Sequence, residues 1–229
     1  MHRRIRHVIF VIETSESMSG EPINSINEGM REAIEILRVG HKETEIDYRI
    51  GVITQSNLEN WRTEMLTPAD MYQWNDLQIS GFLPYGKVFA LLSKRFTIRD
   101  LFASTMRLCR PVIVFIGIGI STDDYEGPLQ ELGSNGWFQN TDRLFIKVGD
   151  TNSPMPLCIV NYAGAVFNAV TGNEIKERIR YVTQEIITHI VIGPDSCREN
   201  KSEWPMKGID TEVDPNCFDG VIFDCEEFI

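Results

Sequence analysis

The sequence predicts an α/β fold: a three-layer α/β/α sandwich around a Rossmann-like, mostly parallel sheet. Three observations predict it. Short apolar runs without alternation, such as Val8–Ile12 and Val112–Ile116, have the composition of strands buried on both faces. These runs alternate with longer segments whose apolar residues recur at steps of three and four, as on amphipathic helices. Strand–helix alternation of this kind places helices on both faces of a parallel sheet.

Val8–Ile12 is the first strand. Residues 22–38 follow as a helix, with Ile23, Ile26, Met30, Ile34 and Leu37 on one face and Pro22 in the first turn, where its missing N–H loses no bond. Tyr48–Thr54 reads as the second strand. Trp61–Leu66 reads as a short third strand at an edge, because Arg62 and Glu64 alternate with larger apolar groups. Residues 87–107 hold one or two helices, with Val88, Leu91, Leu92 and Phe96 in step. Val112–Ile116, the most hydrophobic run, belongs at the centre of the sheet. Tyr125–Leu132 is a short helix, and Leu144–Val148 and Ala165–Val170 complete the strands. A final helix from about Glu174 carries Ile175, Ile179, Val182, Ile186 and Ile190 on one face.

These elements form one domain over residues 1–193. Residues 194–229 differ in character, with ten acids against three bases, three cysteines, Trp204 and a strand-like run at Gly220–Asp224. They read as an acidic extension that packs on the core. The chain carries a net charge of −11, the wrong sign for tracking phosphates, which argues against a nucleic-acid partner. Arg3, Arg4 and Arg6 are expected to solvate the start of the first strand. The apolar run that ends at Glu13 is shorter than a signal core, and no other stretch is long enough to span a bilayer. A cytoplasmic protein with no membrane partner is expected. Five cysteines, an odd number without an export signal, are expected to be reduced, with Cys109 and Cys158 as small core residues.

The segment Val8–Gly20 reads Val-Ile-Phe-Val-Ile-Glu-Thr-Ser-Glu-Ser-Met-Ser-Gly. A buried strand that stops at an acid, followed by two serines at spacing two, is the outline of a metal site at the strand's carboxyl end. Roughly the first 190 residues resemble the von Willebrand factor A domain family, most closely its bacterial, intracellular TerY-like group associated with tellurite resistance. The resemblance rests on residues 8–23, on Asn-Glu-Gly-Met at 27–30, and on Arg-Ile-Gly-Val-Ile-Thr at 49–54. Pro-Val-Ile-Val-Phe-Ile at 111–116, followed by Ser-Thr-Asp-Asp-Tyr at 121–125, completes it.

The resemblance implies a metal-ion-dependent adhesion site, usually holding magnesium, whose open position takes a carboxylate from a partner protein. Its ligands come from Asp-x-Ser-x-Ser, a Thr in a later loop and an Asp after the fourth strand. Here Ser15 and Ser17 match. Glu13 replaces the first Asp, the Thr position falls within Ser80–Gly86 at Leu83, and the second Asp position falls at Ile118. Two ligands are thus missing and a third is one methylene longer. Magnesium demands near-octahedral oxygens at about 2.0–2.1 Å, so no metal is expected to bind the isolated chain.

Two readings of these residues stay open. In the structural one, Ser15 and Ser17 satisfy backbone donors in the turn and at the helix start, and Glu13 accepts from the same amides. In the functional one, the loops form a docking face. Phe82, Leu83, Pro84, Tyr85 and Ile118 replace the polar ligands there, beside Ser121, Asp123 and Asp124; the alternative is that these residues merely cover the sheet edge.

The expected function is a non-enzymatic, intracellular protein-interaction module. The resemblance implies a bacterial stress-response or tellurite-resistance setting with kinase or phosphatase components as partners. One alternative is a magnesium-dependent module in which a partner's carboxylate completes a shell begun by Glu13, Ser15 and Ser17. Another is a nucleotide-using enzyme built on Gly117-Ile118-Gly119, but that run lacks the third glycine of a dinucleotide fingerprint. His189, Cys197, Cys217 and Cys225 lack the short spacing that marks a zinc site. The acidic pairs Asp123-Asp124 and Glu226-Glu227 are expected to face solvent. His2, His7 and His41 sit in terminal or surface-like contexts, and Trp61, Trp74, Trp137 and Trp204 read as core or loop anchors.

Overall fold

The computed structural model describes residues 3–97 and 108–188. The extension at 194–229, the zinc candidates His189, Cys197, Cys217 and Cys225, and the second half of the helical stretch at 87–107 lie outside the described residues. Among the described residues there are six strands: β1 (Arg4–Ile12), β2 (Ile46–Ile53), β3 (Thr67–Pro68), β4 (Val112–Gly117), β5 (Asp142–Val148) and β6 (Val166–Ala169). The helices are α1 (Glu21–Glu43), α2 (Tyr85–Arg95), α3 (Glu126–Gly133), α4 (Gly136–Gln139), α5 (Met155–Ile159) and α6 (Gly172–Thr188). The sheet order is β3-β2-β1-β4-β5-β6, parallel throughout except for β3. The α/β sandwich is therefore the observed fold, and β1 and β4 occupy its centre.

The apolar runs fill that centre. β1 is buried from Ile5 to Ile12 and β4 along its whole length. Beside them, Tyr85, Phe89, Phe115 and Phe145 pack ring against ring, Phe115 and Phe145 being parallel to within 9° at 6.0 Å. Cys109 and Cys158 are half-buried against the same core. α1 runs five residues beyond the periodic stretch because Gly40 lies under Ile187 of α6; a Cβ there would sit 2.6 Å from its Cδ1. α6 begins two residues before Glu174. The reason is a capping box: Thr171 Oγ1 accepts the Glu174 amide, and Glu174 Oε2 accepts the amides of Val170 and Thr171.

Three expectations are corrected. Trp61–Leu66 is not a strand: residues 63–65 form a 3₁₀ turn, and the edge strand is Thr67–Pro68, paired antiparallel to Arg49–Ile50. Trp61 and Leu66 instead fold over Gly51 of β2, so anchoring against a glycine, not pleating, produced the alternating pattern. Arg6 does not solvate the strand. It is 6% exposed, donates to the Ile186 carbonyl at 3.0 Å and pairs with Asp142 at 3.3 Å. His7 and His41 are not surface residues. Each is buried, His7 opposite Arg49 in the β1–β2 register and His41 between Asp47 and Asp70. No helix among the described residues is long and apolar enough to cross a membrane.

Candidate functional site

The strand order reverses direction between β1 and β4, so a crevice is expected beyond their carboxyl ends. Glu13 leaves β1 at that point. Its amide donates to Ile116 O at 2.9 Å, and its side chain turns inward to 1% exposure. One carboxylate oxygen accepts the Ser15 hydroxyl at 2.7 Å; the other accepts the Ile118 amide at 2.9 Å. Gly117 makes room for this, since a Cβ there would lie 2.5 Å from Glu13 Oε2 and 2.9 Å from the Tyr85 hydroxyl. Close approach of the Glu13 carboxylate is what that glycine serves. Burial pushes the Glu13 carboxyl up, against the opposing effect of the bonds from Ser15 and Ile118. Burial, and then the charge of Glu13, pushes the Tyr85 phenol well up; its hydroxyl has no hydrogen-bond partner among the described residues.

Ser15 is fully buried and starts a 3₁₀ turn (Glu16–Met18), but its hydroxyl caps no amide because it is committed to Glu13. That corrects the capping role expected of it. Ser17, in contrast, is exposed. Thr14, which sequence reasoning passed over, links two loops. Its hydroxyl meets Ser80 Oγ at 2.7 Å, its carbonyl accepts the Ser80 amide at 2.8 Å, and it forms an antiparallel bridge with Gly81. A buried hydroxyl next to the acid was the only signal available for it.

The expected docking face is only partly assembled as anticipated. Phe82 is 54% exposed. Leu83 and Tyr85 are buried in the core cluster, which corrects their expected place on a contact surface: Tyr85 opens α2 with its ring turned onto Phe89, Phe115 and Phe145. Ile118 is half-buried, and its neighbour Ile120 is 47% exposed. Asp123 does not point to solvent. Its carboxylate accepts the Gly86 amide at 2.9 Å, the Lys87 amide at 3.1 Å and the Ser121 hydroxyl at 2.7 Å. It thereby supplies from another loop the cap that Pro84 cannot give α2. Asp124 is exposed and accepts the Glu126 amide at the start of α3.

Further bonds close the ring of loops. Thr151 Oγ1 donates to Ile118 O, Lys147 donates to Thr151 O, and Glu21 accepts the Gly172 amide. The loops after β1, β4, β5 and β6 and the turn before α2 are thus tied into one rim.

The donor set does not fit magnesium. The one carboxylate at the position of the expected ligands already accepts two internal hydrogen bonds, and the Ser15 proton is directed at it. Leu83 is apolar and buried, Ile118 turns an N–H donor toward Glu13 where a cation needs an acceptor, and Asp123 is held by the first amides of α2. Among the described residues no group of three or more His, Cys, Asp or Glu is placed to hold a metal.

A scan against models of known families finds no match, and a search of curated proteins finds no similar chain. Solved structures do resemble it. A von Willebrand factor type A protein from Catenulispora acidiphila superposes with a TM-score of 0.55 at 15% identity, over 81% of this chain and 43% of that one. The pilus adhesin SpaC from Lactobacillus rhamnosus GG, in an open conformation, gives 0.57 at 10% identity, over 82% and 31%. The ArnB paralog VWA2 from Sulfolobus acidocaldarius gives 0.51 at 13% identity, over 76% and 44%. The chain spans less than half the length of each. The described residues have the von Willebrand factor A fold, with Glu13, Ser15 and Ile118 hydrogen-bonded together where the β1 and β4 loops meet.

Proposed function

We propose that this chain is a non-enzymatic protein-interaction module that docks through the loop rim at the carboxyl end of its sheet and does so without a metal. The observation that carries the reading is the pairing of Glu13 with the Ile118 amide. It places an internal hydrogen bond where the fold's adhesion site would need open acceptors, while Phe82 and Ile120 stay exposed on the surrounding turns. Large apolar side chains held in solvent on a pinned backbone suit a protein contact. The name of one structural neighbour, a pilus adhesin, supports an adhesive role in general. The finer placement rests on the motif resemblance alone: a TerY-like, intracellular, bacterial module in a tellurite-resistance or stress setting, with kinase or phosphatase components as partners.

Affinity capture from the native cell, comparing the wild type with a Phe82→Ala/Ile120→Ala variant, tests the face. Partners lost only from the variant support it, and an unchanged partner set overturns it. Isothermal titration with magnesium and manganese tests the metal-free part, which micromolar binding by the isolated chain would overturn.

A further inference from the structure

The rim also carries a sign. Four glycines with positive φ occur among the described residues: Gly20, Gly81, Gly119 and Gly149. All four lie on the rim, and each is followed by an exposed side chain, namely Glu21, Phe82, Ile120 and Asp150. At Gly81 (φ 100°) and Gly119 (φ 77°) the left-handed backbone, which other L-residues avoid, orients the chain just before the two exposed apolar groups. The bonds Thr14–Ser80, Asp123–Gly86 and Thr151–Ile118 hold the same turns. Side chains presented on a fixed backbone lose little entropy on binding.

The charges around them are one-sided. Within residues 13–21, 80–87, 118–126, 149–154 and 170–173 the exposed charged residues are Glu16, Glu21, Asp124, Glu126 and Asp150 against Lys87. One lysine against five acids makes the exposed charge of the rim acidic. Two copies of this rim would set acids against acids, which disfavours a second copy as the occupant.

Resting on the docking role proposed above, we infer that the rim takes a cationic segment of a partner protein, with an apolar side chain against Phe82 and Ile120 and flanking lysines or arginines facing Glu16, Asp124 and Asp150. This is the reverse of the carboxylate-bearing partner that the family resemblance implies.

The test uses the full chain and three fluorescein-labelled synthetic peptides of equal length. All share one Leu-Phe core, flanked by Lys/Arg, by Ser/Gly or by Asp/Glu, and binding is read by fluorescence anisotropy. The Lys/Arg peptide is expected to bind at least about tenfold tighter than the Asp/Glu peptide and to weaken as salt rises from about 50 to about 300 mM. Glu16→Lys/Asp150→Lys removes that preference, whereas Glu32→Lys, an exposed charge reversal along α1, leaves it in place. Phe82→Ala weakens the Lys/Arg and Ser/Gly peptides alike. Equal or tighter binding of the Asp/Glu peptide, or a preference that survives the double reversal, overturns the inferred polarity while an effect of Phe82→Ala leaves the docking face standing. Insensitivity of bound peptides to Phe82→Ala sinks the face itself. No detectable binding of the Lys/Arg peptide at millimolar concentration overturns the proposal.

Discussion

Glu13 Oε2 accepts the backbone amide of Ile118 at 2.9 Å, joining two loops that are 105 residues apart in sequence. The longer side chain at the position of an expected aspartate reaches the neighbouring strand's loop, and the bond uses an amide that any residue at 118 except proline supplies. The bond therefore depends on the length of the side chain at 13 and not on the side chain at 118.

Removing the side chain and removing only its charge have opposite consequences. Glu13→Ala leaves the Ile118 amide and the Ser15 hydroxyl buried without partners, and is expected to cost about 1–3 kcal/mol. Glu13→Gln keeps an acceptor for Ile118 and a donor toward Ser15 while removing the buried charge. Since burial raises the Glu13 carboxyl above its ordinary range, the ionised form weighs against folding. The Gln variant is expected to melt higher than the wild type above the raised pKa. That advantage shrinks as pH falls through the raised pKa and is gone below the ordinary carboxylate range, where Glu13 is protonated in the folded and the unfolded chain alike. Thermal melts across pH of the two variants and the wild type measure it, and a Gln variant less stable at every pH contradicts the account.

His7 contributes with the opposite sign. Burial, and then the charge of Arg49, lowers its pKa from 6.5 to about 4. Between those values the unfolded chain holds a proton that the folded chain does not, so stability falls as pH drops from 6.5 toward 4. The full loss is on the order of 3 kcal/mol from the size of that shift. His7→Leu is expected to flatten this part of the profile, as read by urea midpoints at several pH values.

Gly117 and Glu13 should couple. Gly117→Ala places a methyl 2.5 Å from Glu13 Oε2 and 2.9 Å from the Tyr85 hydroxyl, both on buried side chains, and overpacking of this kind costs about 1–3 kcal/mol. Glu13→Ala vacates part of the space. The double variant is expected to lose less stability than the two singles added together, by about 1 kcal/mol in a double-mutant cycle. Strict additivity would show that the two residues do not compete for that volume.

Asp123 holds the first turn of α2 from outside its own helix. Asp123→Ala is expected to destabilise by about 1–2 kcal/mol, in the range of a lost helix cap. It should also speed hydrogen exchange at the amides of Gly86 and Lys87 ahead of the rest of α2. Asp123→Asn, which keeps one acceptor oxygen, should lose less. Uniform exchange along the helix would show that the loop contact does not cap it.

The apolar period made most of the fold legible, because burial on both faces leaves residues 8–12 of β1 and all of β4 no polar positions and burial on one face forces steps of three and four on α1 and α6. Where the pattern had another cause it misled: Trp61 and Leu66 are spaced to cover Gly51, and the resulting alternation resembles a strand without being one. The site was legible as a place and not as an arrangement. Glu13, Ser15 and Ile118 do converge, but Tyr85 and Leu83 face the core, Asp123 caps a helix, and Thr14 had gone unnoticed.

By itself, then, the chain's order of apolar and polar residues determined the α/β alternation, the central strands and the segment that follows the first of them. Only the tertiary structure decided what that segment does. A carboxylate at position 13 has the same local neighbours whether it faces a cation, solvent or an amide. Which one it meets depends on the donor that β4 brings beside β1, and that donor is the Ile118 N–H exposed by the absence of a side chain at Gly117.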